Sequence, residues 1–341
     1  MDKVACLSPT DRSDLFRAVA DQKGVTVQII EKDFWVCWVL RQLAGLDSLP
    51  ADIFFKGGTS LSKVFHVIER MSEDIDLVID RKALGFTGDR DPMQEGISGK
   101  QRERLIDALK AEVVSFVDGP LFDSLNKRFA EILGESDEWS IRADVENPDN
   151  ANVFFSYPTN EEPSEYLRTE VLLELGARGD TWPTVKGAVR PYAAELFPDQ
   201  FEHADAPVQA ISAQRTFWEK VTLLHSLVHL GEERMVRAKP ARHLYDVYQL
   251  ANNELGREAI LDTDLLASVV EHKKVFYKQP KAKYELAVPG TLRILPSKEL
   301  AEVLRSEYEE MAEIMIFGDS PNFEVVVDSL LELQSKINAS D

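Results

Sequence analysis

Residues 54–80, FFKGGTSLSKVFHVIERMSEDIDLVID, limit what this chain can fold into more than any other stretch. The apolar run at 53–55 stops at Gly57-Gly58. Leu61, Val64, Phe65 and Ile68 then recur at helical spacing, which predicts a helix from about Ser60. Asp74 and Asp76 alternate with Ile75, Leu77 and Ile79, the period of a half-buried strand. Side chains alternate along a strand, so the two aspartates share a face with Cα atoms about 6.6 Å apart. Carboxylates that close repel unless a cation lies between them, and hard oxygens suit Mg2+ or Mn2+. The glycine pair lets backbone N–H groups approach a phosphate, and Thr59 and Ser60 fall at the positive end of the following helix. A phosphate cradle beside a divalent-metal shelf is apparatus for phosphoryl or nucleotidyl transfer. A solvated acidic edge strand next to an ordinary helix cap fits the same spacing equally well.

The remaining chain narrows the class. At 341 residues two domains are the better expectation, and 44% hydrophobic with 29% charged residues is the composition of a soluble globular protein. The richest apolar run, FWVCWVL at 34–40, is too short to span a bilayer. The opening residues lack the pattern of a secretory leader. Cys6 and Cys37 suggest neither a disulfide framework nor a four-ligand zinc site. The expected location is therefore cytoplasmic. A net charge of −20 argues against a general nucleic-acid coat but leaves room for a local basic groove.

Residues 9–22 and 27–45 read as helices, the second amphipathic with Ile30, Phe34, Cys37, Val39 and Leu40 inward. Residues 85–101 are glycine-rich and unpatterned, expected to form a mobile loop, and a helix covers roughly 101–117. WSIRADVEN and NVFFSYP alternate like strands around a hairpin signal at Pro148-Asp149-Asn150, and YLRTEVLLELG is a third strand. From about 205 the alternation stops. Ser212 is placed to cap a helix carrying Phe217, Val221, Leu224 and Val228, and a second helix from Pro240 is expected to bury Leu244, Val247, Tyr248 and Ala251. The expectation is an α+β protein: an N-terminal domain (1–204) with a mixed sheet flanked by helices, then an all-helical C-terminal domain (205–341).

Gly57-Gly58-Thr59-Ser60 followed by Asp74-Ile75-Asp76-Leu77 resembles the signature of the DNA polymerase β nucleotidyltransferase superfamily. More closely, the chain resembles the AbiEii/AbiGii toxin nucleotidyltransferases, which include the MenT toxins. The matching stretches are EKDFWVCWVL (31–40), KGGTSLSKVFHVIERMSEDIDL (56–77), LELGARGD (173–180), TFWEKVTLLH (216–225) and ARHLYDVYQL (241–250). The gap from Thr59 to Asp74 is slightly long for the wider superfamily, which leaves the phosphate-contacting hydroxyl open.

The resemblance implies a nucleoside triphosphate on Gly58, Thr59, Ser60, Lys63, Lys220 and Arg242, and Mg2+ (or Mn2+) on Asp74, Asp76 and a third carboxylate. Glu170 and Glu174 share one strand face, and the family pattern favours Glu174; Asp80 and Asp144 are weaker candidates. Lys220, by itself a snorkelling lysine, becomes the family's triphosphate lysine. Arg242 and Asp246, by spacing a surface i,i+4 pair, become cleft residues, with Asp246 among the catalytic set. Lys63 and Arg70 lie on the polar side of the first-motif helix.

The family also implies nucleotide transfer to RNA, best supported for the tRNA 3′ acceptor end. Its genetic partner is a winged-helix DNA-binding antitoxin. The one basic stretch, 273–283, interleaves Lys273, Lys274, Lys278, Lys281 and Lys283 with Phe276 and Tyr277, and Tyr284 follows, a pattern suited to RNA; a solvated loop fits it too. Arg234, Arg237 and Lys239 lie nearby in sequence. His225 and His229 are i,i+4 but lack the glutamate of a zinc protease. Transfer to a small molecule, phosphorylation of a protein partner, and non-enzymatic triphosphate sensing remain alternatives.

Overall fold

The computed structural model describes every residue except 47–48, 148, 150, 163–166, 296–297, 319 and 340–341, and the side chains of 298–299. Two of the three expected hairpin residues, Pro148 and Asn150, thus lie outside the described residues. The chain divides into two compact units, Met1–Val64 with Ser72–Ala210, and Phe65–Met71 with Ile211–Asp341. The boundary expected at 204 falls at 210, and a short strap of the N-terminal half, residues 65–71, belongs with the C-terminal helices.

The first unit is an α+β fold. Helices α1 (Asp2–Ala5), α2 (Pro9–Lys23) and α3 (Val27–Ala44) precede β1 (Ile53–Lys56), α4 (Gly57–Lys63) and β2 (Asp74–Ile79). Then come α5 (Gly99–Phe116), α6 (Phe122–Leu133), β3 (Ser140–Asp144), β4 (Ala151–Ser156), β5 (Glu170–Gly176), β6 (Thr184–Val189), α7 (Tyr192–Leu196) and β7 (Ala206–Ile211). The seven strands form one mixed sheet in the order β3-β4-β5-β2-β1-β7-β6. β2 runs parallel to β5 and antiparallel to β1.

One face of the sheet is apolar. Ile75, Leu77, Leu173, Leu175, Val153 and Phe155 are all buried, and Phe155 packs on Trp35 and Trp38 of α3 at ring separations of 5.7 and 5.5 Å. α3 is not amphipathic, as its spacing suggested. It is buried on every side, including Glu31, Lys32 and Asp33, so three consecutive charges must find partners inside the protein.

Other differences have local causes. α4 begins at Gly57 rather than near Ser60 and ends at Lys63, because Phe65 and Ile68, which the spacing assigns to it, belong to the second unit, where Ile68 is buried. The segment 85–98 is irregular but cross-linked: Arg102 donates to Pro92 O and Gln94 O, and Arg90 stacks over the buried Phe86. β7 continues past 205 as a short strand paired with β1 at Phe55 and Ala210. β6 is an exposed strand at the sheet's edge, without the buried alternation that would reveal it.

The second unit is helical. α8 (Ala213–Leu230) starts at Ser212, whose hydroxyl accepts from Arg215 N at 3.2 Å. α9 (Glu232–Ala238), α10 (Ala241–Ala251), α11 (Glu254–Leu261) and α12 (Thr263–Phe276) pack around it, followed by α13 (Lys298–Met315) and α14 (Phe323–Asn338). α10 buries Leu244, Tyr245, Asp246, Val247 and Leu250, whereas Tyr248 and Ala251 are only half-buried. The strap 65–71 is tied in by Met71 N donating to Met315 O (2.7 Å) and Phe317 N donating to Glu69 O (2.8 Å). Among the described residues no helix is long and apolar enough to cross a membrane.

Candidate active site

The polar face of the sheet carries a cross-strand row of charge. Register pairs Lys56 of β1 with Asp76 of β2, Asp76 with Glu174 of β5, Glu174 with Asn152 of β4, and Asn152 with Asp144 of β3. Directly paired residues point to the same side of a sheet. Three carboxylates and one lysine therefore lie in one line, with Asp74 on the same face one row over, opposite Leu172.

The register separates the two glutamates that the sequence leaves open. Glu174 is the partner of Asp76. Glu170 lies four residues upstream, opposite Ser156 of β4, and is paired with Arg142 (3.3 Å) and Arg168 (3.7 Å), both exposed. Asp80 lies beyond the end of β2 and accepts from Lys82 N at 3.0 Å.

The glycine turn meets this row directly. Gly57 has φ +80, and a Cβ built there would overlap the Asp76 carboxylate. Only glycine permits both the backbone geometry and that approach. Asp76 thus sits against the first residue of α4, where the helix dipole favours negative charge. The Thr59 hydroxyl donates to Asp74 O at 2.6 Å and the Ser60 hydroxyl to Gly57 O at 2.9 Å. Both residues are buried, at 2% and 0% exposure. The Thr59 hydroxyl ties the turn to β2 and the Ser60 hydroxyl closes on the turn's own backbone, so the first backbone N–H groups are what such a turn can offer an anion.

Lys63, expected on the polar side of this helix, is buried instead. Its ammonium pairs with Asp33 of α3, donates to Arg190 O at 3.3 Å and lies 3.5 Å from the Tyr192 ring centroid. Tyr192 N donates to the other Asp33 oxygen at 2.7 Å. Burial alone would push the Lys63 pKa down, and Asp33 reverses that and raises it. Lys63 therefore anchors the end of α4.

Lys32, one position before Asp33, is not marked out by spacing in the sequence. It donates to Arg168 O (3.0 Å) and Glu170 O, and pairs with Glu73 at 3.4 Å. It thereby fastens the start of β5 beside the residue that precedes Asp74. The available signal was a Glu-Lys-Asp triplet inside an apolar helix. A cavity of about 490 Å3 opens on the opposite sheet face, lined by Phe55 and Leu77, away from the acidic row.

In the second unit Asp246 does not pair with Arg242, as the i,i+4 spacing suggested. It is fully buried, bound by Arg70 through two hydrogen bonds of 2.7 Å and by Lys220 at 2.9 Å. These two cations hold its carboxyl well below the usual range despite burial. Arg70 is accordingly buried, not on a polar helix face, and Arg242 is exposed. Lys220 Nζ lies 3.5 Å from His243 Nδ1, and burial, helped by the charge on Lys220, keeps that imidazole neutral.

In the lysine-rich stretch Lys278, Lys281 and Lys283 are exposed, but Phe276 and Tyr284 are buried; Tyr277 is half-buried, with Lys273 above its ring at 5.0 Å. His225 is held by Lys283 O and Arg293 N as a core histidine.

Residues 38–329 match the family model for the nucleotidyl transferase AbiEii toxins of type IV toxin–antitoxin systems. The chain belongs to the AbiEii family. It is thus a member of a family of toxin nucleotidyltransferases. Among solved structures it is similar to MenT4, a nucleotidyltransferase toxin from Mycobacterium tuberculosis H37Rv, at 14% identity, with 94% of this chain and 97% of that chain covered and a TM-score of 0.46. No curated protein matches.

An AbiEii nucleotidyltransferase is expected to use a divalent ion, and the donor set fits one. Asp76 and Glu174 offer hard carboxylate oxygens from directly paired strand positions, with Asp74 on the same face and the Asn152 amide and Asp144 further along the row. Among the described residues no three acidic, histidine or cysteine side chains already converge as a metal cluster.

Proposed function

We propose that this AbiEii-family chain transfers nucleotides from a nucleoside triphosphate to RNA, with the tRNA 3′ acceptor end as target, and so arrests translation and growth in the cytoplasm. The observation that carries this reading is the register of Asp76 with Glu174 beside a glycine turn that admits no side chain. Asp74, Asp76 and Glu174 would hold Mg2+, which when bound neutralises triphosphate charge and acidifies the acceptor hydroxyl. Gly57 and Gly58 give the phosphates access to backbone N–H groups, and the Thr59 hydroxyl keeps that turn closed against β2. Lys220 and Arg242 are taken from the family pattern as further phosphate contacts. A winged-helix antitoxin is the proposed genetic partner.

Burial of Phe276 and Tyr284 removes two of the expected base-stacking platforms, and this favours a second reading, transfer to a small-molecule hydroxyl. Incubation with each α-labelled nucleoside triphosphate, Mg2+ and total tRNA, followed by sizing of the product, separates the two. Label in tRNA-sized material is the expected result. Label confined to small molecules supports the second reading, and no transfer to any acceptor contradicts both.

A further inference from the structure

Three consecutive charges of α3 are buried, and two of them reach the segments that present the acidic row. Asp33 holds Lys63 at the end of α4. Lys32 holds the place where β2 enters the sheet. Its side chain is 2% exposed, and its ammonium meets two backbone carbonyls and one carboxylate: Arg168 O at 3.0 Å, Glu170 O, and Glu73 at 3.4 Å. Carbonyls two residues apart in an extended chain point the same way, so one ammonium serves both. Both precede Leu172, which opens the β2–β5 pairing opposite Asp74. Glu73 in turn lies between Ser72 and Asp74, whose carbonyls both accept from the Thr59 hydroxyl, at 3.2 and 2.6 Å. Residues 72–74 are thus held through their backbone by the glycine turn and through the Glu73 side chain by Lys32.

A compact ammonium with rotatable N–H groups suits such a junction of carbonyls and carboxylate. Burial pushes its pKa down, and the charges of Glu73, Asp74 and Glu170 oppose that. We propose that Lys32 is a positioning residue for the cation site: by clamping Glu73 to the start of β5 it fixes Asp74 of β2 relative to Glu174 of β5, while touching neither metal nor substrate. This rests on Asp74, Asp76 and Glu174 holding Mg2+, as in the proposed function.

Calorimetric titration of the full chain with Mg2+ alone tests it, because charge and position predict opposite signs. Lys32→Met removes a cation whose charge acts on Asp74, so charge alone would tighten Mg2+ binding. Lost positioning weakens it, and the expected result is binding about tenfold weaker or more, the usual cost of losing a group that orients metal ligands. The Mg2+ concentration for half-maximal transfer should rise with it. A folded Lys32→Met that binds Mg2+ as the parent does, or more tightly, overturns the proposal. If Lys32→Met does not fold, two changes at the partly exposed Glu73 decide. Glu73→Gln and Glu73→Ala lose the same charge, but only Gln keeps an oxygen for Lys32. Ala should therefore bind Mg2+ about threefold or more weakly than Gln, the value of one polar contact, and equal binding contradicts the account. A parent that binds Mg2+ while every variant matches it leaves the cation site standing and removes only the role of Lys32. A parent that binds no Mg2+ removes the cation site, and this proposal with it. A parent that binds with the expected pattern yet transfers no nucleotide leaves the role of Lys32 standing and removes the proposed function instead.

Discussion

The two acidic centres of this molecule have opposite designs. On the sheet of the first unit, Asp76 and Glu174 are direct cross-strand partners with Asp144 further along the row and Asp74 beside it, and one lysine, Lys56, stands at the row's end. In the second unit a single carboxylate, Asp246, is enclosed by Arg70 and Lys220. The first lines carboxylates up on neighbouring strands, and the second sets one carboxylate between two cations. A surplus of carboxylates on a half-buried strand suits an arriving cation. An aspartate's burial and partners therefore say more about its part in the chemistry than its place in a motif does.

Stability measurements can break this comparison. Asp246→Ala should be the most damaging change, because it removes the buried carboxylate that both Arg70 and Lys220 bind, at a cost of about 3–5 kcal/mol. Urea unfolding measures it. A loss no larger than that of a surface substitution would show that the Asp246 centre is wetter and looser than described. Gly57→Ala should come next, since the new methyl meets the Asp76 carboxylate and φ is +80. The backbone strain alone is worth on the order of 1–2 kcal/mol, and transfer activity should fall with it. Full activity in Gly57→Ala would mean that the turn and Asp76 do not act together.

The glutamates sharpen the comparison within one strand. Glu174→Gln should remove most transfer activity, while Glu170→Gln should leave it nearly intact and change stability by no more than about 0.5 kcal/mol, because its partners are exposed arginines. The reverse ranking in the labelling assay would move the third carboxylate four residues upstream.

Much of this was legible in the sequence, and the failures have a physical pattern. Period-two alternation reveals β2 and β5, because each has a buried apolar face. The start of α4 was hidden because Gly57 and Gly58 carry no side chain to signal a helix. The true partner of Asp246 was hidden because Arg70 is 176 residues away in sequence, while Arg242 is four. Lys63 looked solvated because its counter-ion, Asp33, is on another helix. Aromatic residues among lysines looked like stacking platforms, but Phe276 and Tyr284 are core residues of their own helical unit. Ion pairs between distant elements leave little trace in local spacing; packing reveals them.

An effect seen only at high pH concerns Glu31, buried on α3 and accepting from the Thr159 hydroxyl at 2.6 Å. Burial pushes its pKa up from 4.5 to about 7, against the pull of Thr159 and Arg12. The folded chain thus holds this proton more tightly than the unfolded one. Between pH 4.5 and 7 the native state carries the extra proton, so this group's contribution to stability falls as pH rises through that window. Glu31→Gln should therefore raise the melting temperature at pH 8, by a free energy on the order of 1–2 kcal/mol, and do little at pH 5. An equal change at both pH values would show that Glu31 titrates normally.

The central claim is that the acidic row is built to hold a cation for transfer, and Asp76→Ala tests it most directly through melting curves with and without Mg2+. Without the ion the variant should melt at the parent's temperature or higher, because one of several repelling carboxylates is gone. Added Mg2+ should raise the melting temperature of the parent and not that of the variant, as expected when a ligand binds the native state of only one of them. Equal stabilisation of both proteins by Mg2+, or a variant that labels tRNA at the parent's rate, would contradict the account.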